Sequence, residues 1–219
     1  MKRALYLYAI VDPLPPSWRP PTAGIAGAPV VPRRTGELVV LSSLLDSVPP
    51  AGPRTLALHQ DVVATVVDAG AALPFRYGVT VPAGELEAWL AGHRTSVTAA
   101  LGTVRGCVEM TVKLLGLEPG PGERGLQTLA EALAERAGLP QWRYRPAAGN
   151  GAAAVAFLVP RSDLAGFLAR IAPVASHAAG IAVVPTGPWA PYSFVPDLDR
   201  VPLRHEPPVA LATLGRRAG

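Results

Sequence analysis

One cysteine, Cys107, stands in a chain of 219 residues. A lone thiol excludes an intramolecular disulfide framework and any multi-cysteine metal site within one chain. No apolar run reaches the ~18 residues that a membrane helix needs, although mean hydropathy is positive at +0.27. Membrane insertion is therefore not expected. Charge is scarce as well, at 16% of residues against 49% hydrophobic, which leaves ample material for a buried core in one larger or two small domains. The net charge is only +4, and Arg33-Arg34 and Arg216-Arg217 are the only adjacent arginine pairs. A scattered excess of that size reads as a solvated surface, not as a nucleic-acid footprint.

Catalytic signatures are missing too. No Gly-x-Ser-x-Gly elbow occurs, and the glycine-rich stretch from Gly116 to Gly125 lacks the Lys-Ser/Thr ending of a phosphate loop. His59, His93, His177 and His205 are far apart, with no second histidine at ligand spacing. His93 falls on the apolar stripe of a helix and reads as a core histidine, while Cys107 reads as a packed thiol. Glu85 and Glu87 are two apart on a helix, do not share a face, and read as solvated charges. Without a nucleophile, base and orienter, neither an enzyme nor a cofactor or metal site is expected.

Proline and glycine are abundant, at 25 and 22 residues, and they cluster between apolar segments as loops do. After Met1-Lys2-Arg3, residues 4–11 alternate aromatic and small residues and meet Pro13 without a cleavage site, so they read as a first strand of a cytoplasmic protein, not as a signal peptide. A Pro-rich loop over 12–32 precedes a second strand over 37–42. Leu58, Val62, Val63, Val66 and Val67 recur at helical spacing over 54–69. A short extended piece spans 73–81, and a second helix carries Leu86, Trp89, Leu90, His93, Val97 and Leu101 on one stripe. From 104 to 115 the pattern alternates, with Val108, Met110, Val112 and Leu114 against Cys107, Glu109, Thr111 and Lys113. Gly116 to Gly122 marks a boundary. Beyond it the pattern predicts a helix over 125–137, strands over 142–145 and 152–159, a helix over 162–172 capped by Ser162, and a strand over 181–185.

This order implies an α+β fold of two small domains, residues 1–116 and 123–195, each a ferredoxin-like antiparallel-rich sheet with helices on one face. Residues 196–219 form a Pro/Arg-rich tail in which Val209 to Leu214 has the length for a turn or two. Within this scheme Arg76 and Glu109 are candidates for a structural ion pair that locks a turn to the sheet. Gly187 to Val195 reads as a stiff, extended aromatic segment, because Pro188 and Pro191 bar both a helix and a central strand.

Three segments, taken together, carry a resemblance. Leu73-Pro74-Phe75-Arg76-Tyr77-Gly78, then Gly106-Cys107-Val108-Glu109-Met110-Thr111-Val112-Lys113, then Gly187 to Val195, resemble the signature segments of the gas vesicle protein L/F family over most of residues 3–196. The family pattern has a longer helical section after the Glu-containing strand, where this chain has one short helix. The resemblance implies a non-catalytic accessory or minor structural protein of gas vesicles, located in the cytoplasm and at the vesicle. Its implied partners are the small hydrophobic shell protein and other gas vesicle accessory proteins. Phe75, Arg76, Tyr77, Trp189 and Tyr192 are the candidate residues, either for partner binding or for docking the two domains on each other. Two other classes stay open to comparison: a small-molecule-binding regulatory module built on paired α+β domains, and an RNA-binding sheet. Residues 105–110 lack the stacking aromatics that an RNA-recognition strand displays.

Overall fold

The computed structural model describes residues 3–116, 122–147, 152–196 and 198. The first part contains β1 (Ala4–Val11), a 3-10 turn at Ile25–Gly27, β2 (Val31–Thr35), β3 (Leu38–Leu45), α1 (Pro53–Val67), β4 (Ala72–Pro74), β5 (Thr80–Pro82) and α2 (Leu86–Val104). These strands form one antiparallel sheet in the order β2-β3-β1-β4, with β5 also paired to β1. The second part contains β6 (Cys107–Gly116), α3 (Gly122–Ala137), β7 (Trp142–Arg145), β8 (Ala153–Pro160), α4 (Leu164–Ser176) and β9 (Ile181–Trp189). Its sheet has the order β7-β8-β6-β9.

The central strand β1 is buried along nearly its whole length. Leu5 and Leu7 face Leu86, Trp89, Leu90, Val97 and Leu101 of α2. Tyr6 and Tyr8 face Val62, Val63 and Val66 of α1. The first sheet thus carries a helix on each face, where one covered face was expected. The reason is chemical: a tyrosine ring buries as much apolar surface as a leucine, provided its hydroxyl finds a partner. Tyr8 bonds the Ser43 hydroxyl at 3.0 Å and accepts the Ile25 N–H at 2.9 Å. α1 begins at Pro53, which supplies no N–H where none is needed, and the preceding Gly52 N–H donates to the Thr55 hydroxyl at 2.9 Å.

The second sheet follows the expected plan. Strand, helix, strand, strand, helix, strand in the order 2-3-1-4 is the ferredoxin-like arrangement, and both helices pack on one face. Met110, Val112, Leu114, Val155, Phe157 and Val159 meet Leu126, Ala130 and Leu133 of α3 and Phe167 and Ile171 of α4.

Four local expectations are corrected, and two fall outside the described residues. The alternating strand β6, assigned from sequence to the first domain, is an inner strand of the second sheet; its alternation specifies a strand but not a neighbour. The glycine-rich boundary falls largely on 117–121, outside the described residues, as does the tail beyond 198. Ser162 caps no helix: it lies inside a 3-10 turn, Arg161–Asp163, and α4 starts after Asp163. The Asp163 carboxylate pairs with Arg170 at 2.6 Å. Finally, the Pro-rich loop contains β2, and β9 runs on to Trp189 through Pro185 and Pro188. Both are edge strands, where a missing N–H leaves no ladder bond broken on the open side.

The two sheets share buried neighbours. Ala156 and Leu158, on the face of the second sheet away from α3 and α4, join the core beneath α2 together with Phe194 and Leu198. Val108 joins the core beneath α1, with Ala190 and Tyr192 packed against it. Among the described residues no helix is long and apolar enough to cross a membrane.

Candidate functional site

Glu109 sits in mid-β6 and is 4% exposed. Burying a carboxylate costs several kcal/mol unless its oxygens accept hydrogen bonds. Here the Ser193 backbone N–H donates to one oxygen at 2.7 Å, and the Ser193 hydroxyl donates to the other at 2.9 Å. The Thr111 hydroxyl adds a third donor at 3.2 Å. The 3-10 turn Tyr192–Phe194 is thereby tied to the sheet. The Tyr192 phenol lies beside this carboxylate and is buried without a hydrogen-bond partner. Burial, and secondarily the Glu109 charge, hold its pKa well above the ordinary tyrosine range.

The turn after β4 is fixed from beneath by a buried network. The His59 Nε2–H donates to the Phe75 carbonyl at 2.9 Å, so Nδ1 is the acceptor for the Tyr6 hydroxyl at 2.7 Å. Tyr6 in turn accepts the Gly78 N–H at 3.4 Å. The Tyr77 hydroxyl donates to the Pro49 carbonyl at 2.9 Å, and its ring meets Tyr6 and His59 edge-on. Burial pushes the His59 pKa down, which keeps the imidazole neutral. Gly78 adopts φ +95°, a conformation that side-chain-bearing residues rarely take. Sequence reading counted His59 only as a non-ligand. Its spacing of three, four and seven from Val62, Val63 and Val66 was the signal that it points into the core.

The five aromatic-segment candidates separate by role. Phe75 is fully buried against the Trp89 ring at 5.9 Å between centroids. Tyr77 and Tyr192 pack against the core beneath α1. Arg76 is exposed at the tip of the turn. Trp189, paired with Glu109 in the strand register, is 49% exposed. His93, as expected, is absorbed into packing: it stacks on Trp89 at 4.9 Å and bonds the Trp89 carbonyl at 2.8 Å. Cys107 is half-buried, and burial raises its pKa, which makes it a poor nucleophile.

Next to Trp189 a cleft of about 530 Å³ opens between α1 and the second sheet. Gln60, Asp61 and Ala64 form its helical wall, and Thr111, Lys113 and Arg145 its sheet wall. Glu109 and Ser193 lie at its base. The three sequence segments thus converge: the turn 73–78 and Tyr192 share one core, and Glu109 holds Ser193.

Residues 4–120 and 122–196 match the family model described as gas vesicle synthesis protein GvpL/GvpF. The chain belongs to this family. Solved structures that share its fold include two gas vesicle proteins. Gas vesicle protein GvpF from Anabaena sp. PCC7120 is 17% identical, with a TM-score of 0.74 over 89% of this chain and 96% of that one. GvpF from Microcystis aeruginosa is 19% identical, with a TM-score of 0.72 over 88% and 99%. No curated protein matches the sequence. Membership in the GvpL/GvpF family supports a role in gas vesicle formation, and the matched ranges take in both sheets and all three signature segments.

Proposed function

We propose that this GvpL/GvpF-family protein is a non-catalytic accessory or minor structural component of gas vesicle formation that binds the small hydrophobic shell protein during assembly. Its place is the cytoplasm and the vesicle, in company with other gas vesicle proteins. The observation that carries the reading is the contrast within the signature aromatics: Phe75, Tyr77 and Tyr192 are committed to packing, while Trp189 stands half in solvent beside a cleft. An apolar shell subunit is prone to aggregate before assembly, and a partner that covers part of it suppresses this.

The mode of binding is constrained by the sheet edges. β9 carries Pro185 and Pro188, β2 carries Pro32, Arg33 and Arg34, and β7 is four residues long with two arginines. Proline and charge are the devices that blunt an edge against strand addition. Recognition through a sheet face or the cleft is therefore favoured over an added strand.

Co-purification from cells that express both proteins tests the reading. The shell protein is expected to be retained at physiological salt. Trp189→Ala should keep its melting temperature and lose most of the retained shell protein. A clean failure of the folded, soluble wild type to retain it overturns the proposal.

A further inference from the structure

We infer that the open face of the second sheet is the docking surface, and that its occupant is a segment of the shell subunit in which a carboxylate side chain is flanked by apolar residues. This rests on the shell-binding reading above and gives it a location and a chemistry.

The strand pleat defines the surface. Met110, Val112 and Leu114 point toward α3 and α4, so Glu109, Thr111, Lys113 and Leu115 point the other way. The register places Val184 opposite Lys113 and Ala182 opposite Leu115. The first sheet and α2 cover one end of this face through Ala156 and Leu158, and α1 stands across the cleft from Thr111, Lys113 and Arg145. At the other end Leu115 and Val184 are each 40% exposed, with Trp189 at 49%. Three of the seven large apolar side chains most exposed among the described residues thus belong to one sheet face and its rim.

Charge selects the occupant. Ala154 lies opposite Lys113 on β8 and opposite Arg145 on β7. Lys113 and Arg145 therefore flank a small residue across two strand spacings, about 10 Å apart along the sheet. Neither cation forms a salt bridge among the described residues. The slot between them suits a carboxylate, which two cations can bond from either side. Asp61, on the opposite, helical wall of the same cleft, disfavours an anion on that side and leaves the sheet wall between Lys113 and Arg145 as the place for it. On β6 the exposed part of this face is Lys113 and Leu115, and along β9 the exposed rim continues from Val184 to Trp189, about 17 Å of strand, which a chain segment spans and a small metabolite does not.

Charge reversal decides the matter. The double variant Lys113→Glu/Arg145→Glu changes two exposed side chains and should keep the wild-type melting temperature. It is expected to lower the shell protein retained in co-purification at least ten-fold. Lys113→Arg/Arg145→Lys should restore retention, and reversal of the exposed Arg54 and Arg124 should leave it unchanged. A photo-crosslinking residue at Val184 should capture a shell-protein peptide that contains Asp or Glu, whereas one at the exposed Leu168 on α4 should not. Wild-type retention with an unaffected reversal variant, or crosslinks from Leu168 but not Val184, overturns the docking surface and leaves shell binding standing. No retention by the wild type overturns the shell-binding reading and this inference with it.

Discussion

The Glu109 carboxylate and the Ser193 backbone N–H, 84 positions apart, meet in a hydrogen bond of 2.7 Å. One buried acid in β6 thereby holds the aromatic segment that leaves the last strand. Glu109→Ala removes the acceptor for the Ser193 N–H and should cost about 2–3 kcal/mol, the range for a charged hydrogen bond broken with its donor left behind. Ser193→Ala keeps the backbone bond and should cost about 1 kcal/mol. Urea unfolding of both variants and of the double variant checks this; the double loss should fall short of the sum, because the two share an interaction.

The proposed pairing of Arg76 with Glu109 is open to the same method. The turn 73–78 and the base of the cleft approach each other through Tyr77 and Tyr192, which pack on one core. An exposed guanidinium gains little from an ion pair, so a coupling energy of about 0.5–1 kcal/mol is expected from the cycle Arg76→Ala, Glu109→Ala and both. Strict additivity removes the pair from the account.

Stability should fall on mild acidification. Burial lowers the His59 pKa below its ordinary 6.5, so below that pH the unfolded chain binds a proton that the folded chain resists. The unfolded state then binds more protons, and stability declines as pH drops from about 6.5. Each unit of lowering is worth about 1.4 kcal/mol. The groups that face the ring are the phenols of Tyr6, Tyr8 and Tyr77. Thermal melts between pH 7.5 and 5 should show the slope in wild type and a flatter profile in His59→Gln, which is less stable throughout. An identical slope in both refutes this role.

Gly187 should not tolerate a side chain. Its φ is +125°, and a Cβ there would lie 2.9 Å from the Glu109 carbonyl oxygen and 2.9 Å from the Met110 sulfur. Strain of about 1–3 kcal/mol follows from the backbone conformation alone. Gly187→Ala should lower the melting temperature by several degrees and loosen the turn at Ser193, which amide exchange at that N–H would register.

Much of the fold was legible in the chain. The periodicity of Val62, Val63 and Val66 marked α1, the alternation of Val108, Met110, Val112 and Leu114 marked β6, and the proline and glycine clusters marked the ends of elements. Local sequence records such patterns because each follows from the geometry of one strand or helix. Ser162 failed as a cap for a related reason: a hydroxyl near a helix start is only a candidate until the backbone fixes where the first turn begins.

Placement was not legible. β6 carries the same alternation whichever sheet it joins, and only the tertiary structure set it between β8 and β9. Tyr6 and Tyr8 read as one strand's aromatics, and only the partners of their hydroxyls show why the first sheet is covered on both faces. The three signature segments could be named in sequence as a group, but their convergence on Glu109, Ser193 and the cleft depends on chain crossings of 75 to 84 residues. The sequence by itself determined most of the elements and the family likeness. The tertiary structure decided which aromatic is exposed and which sheet face is bare, because exposure is settled by what distant parts of the chain pack against, and no local pattern encodes that.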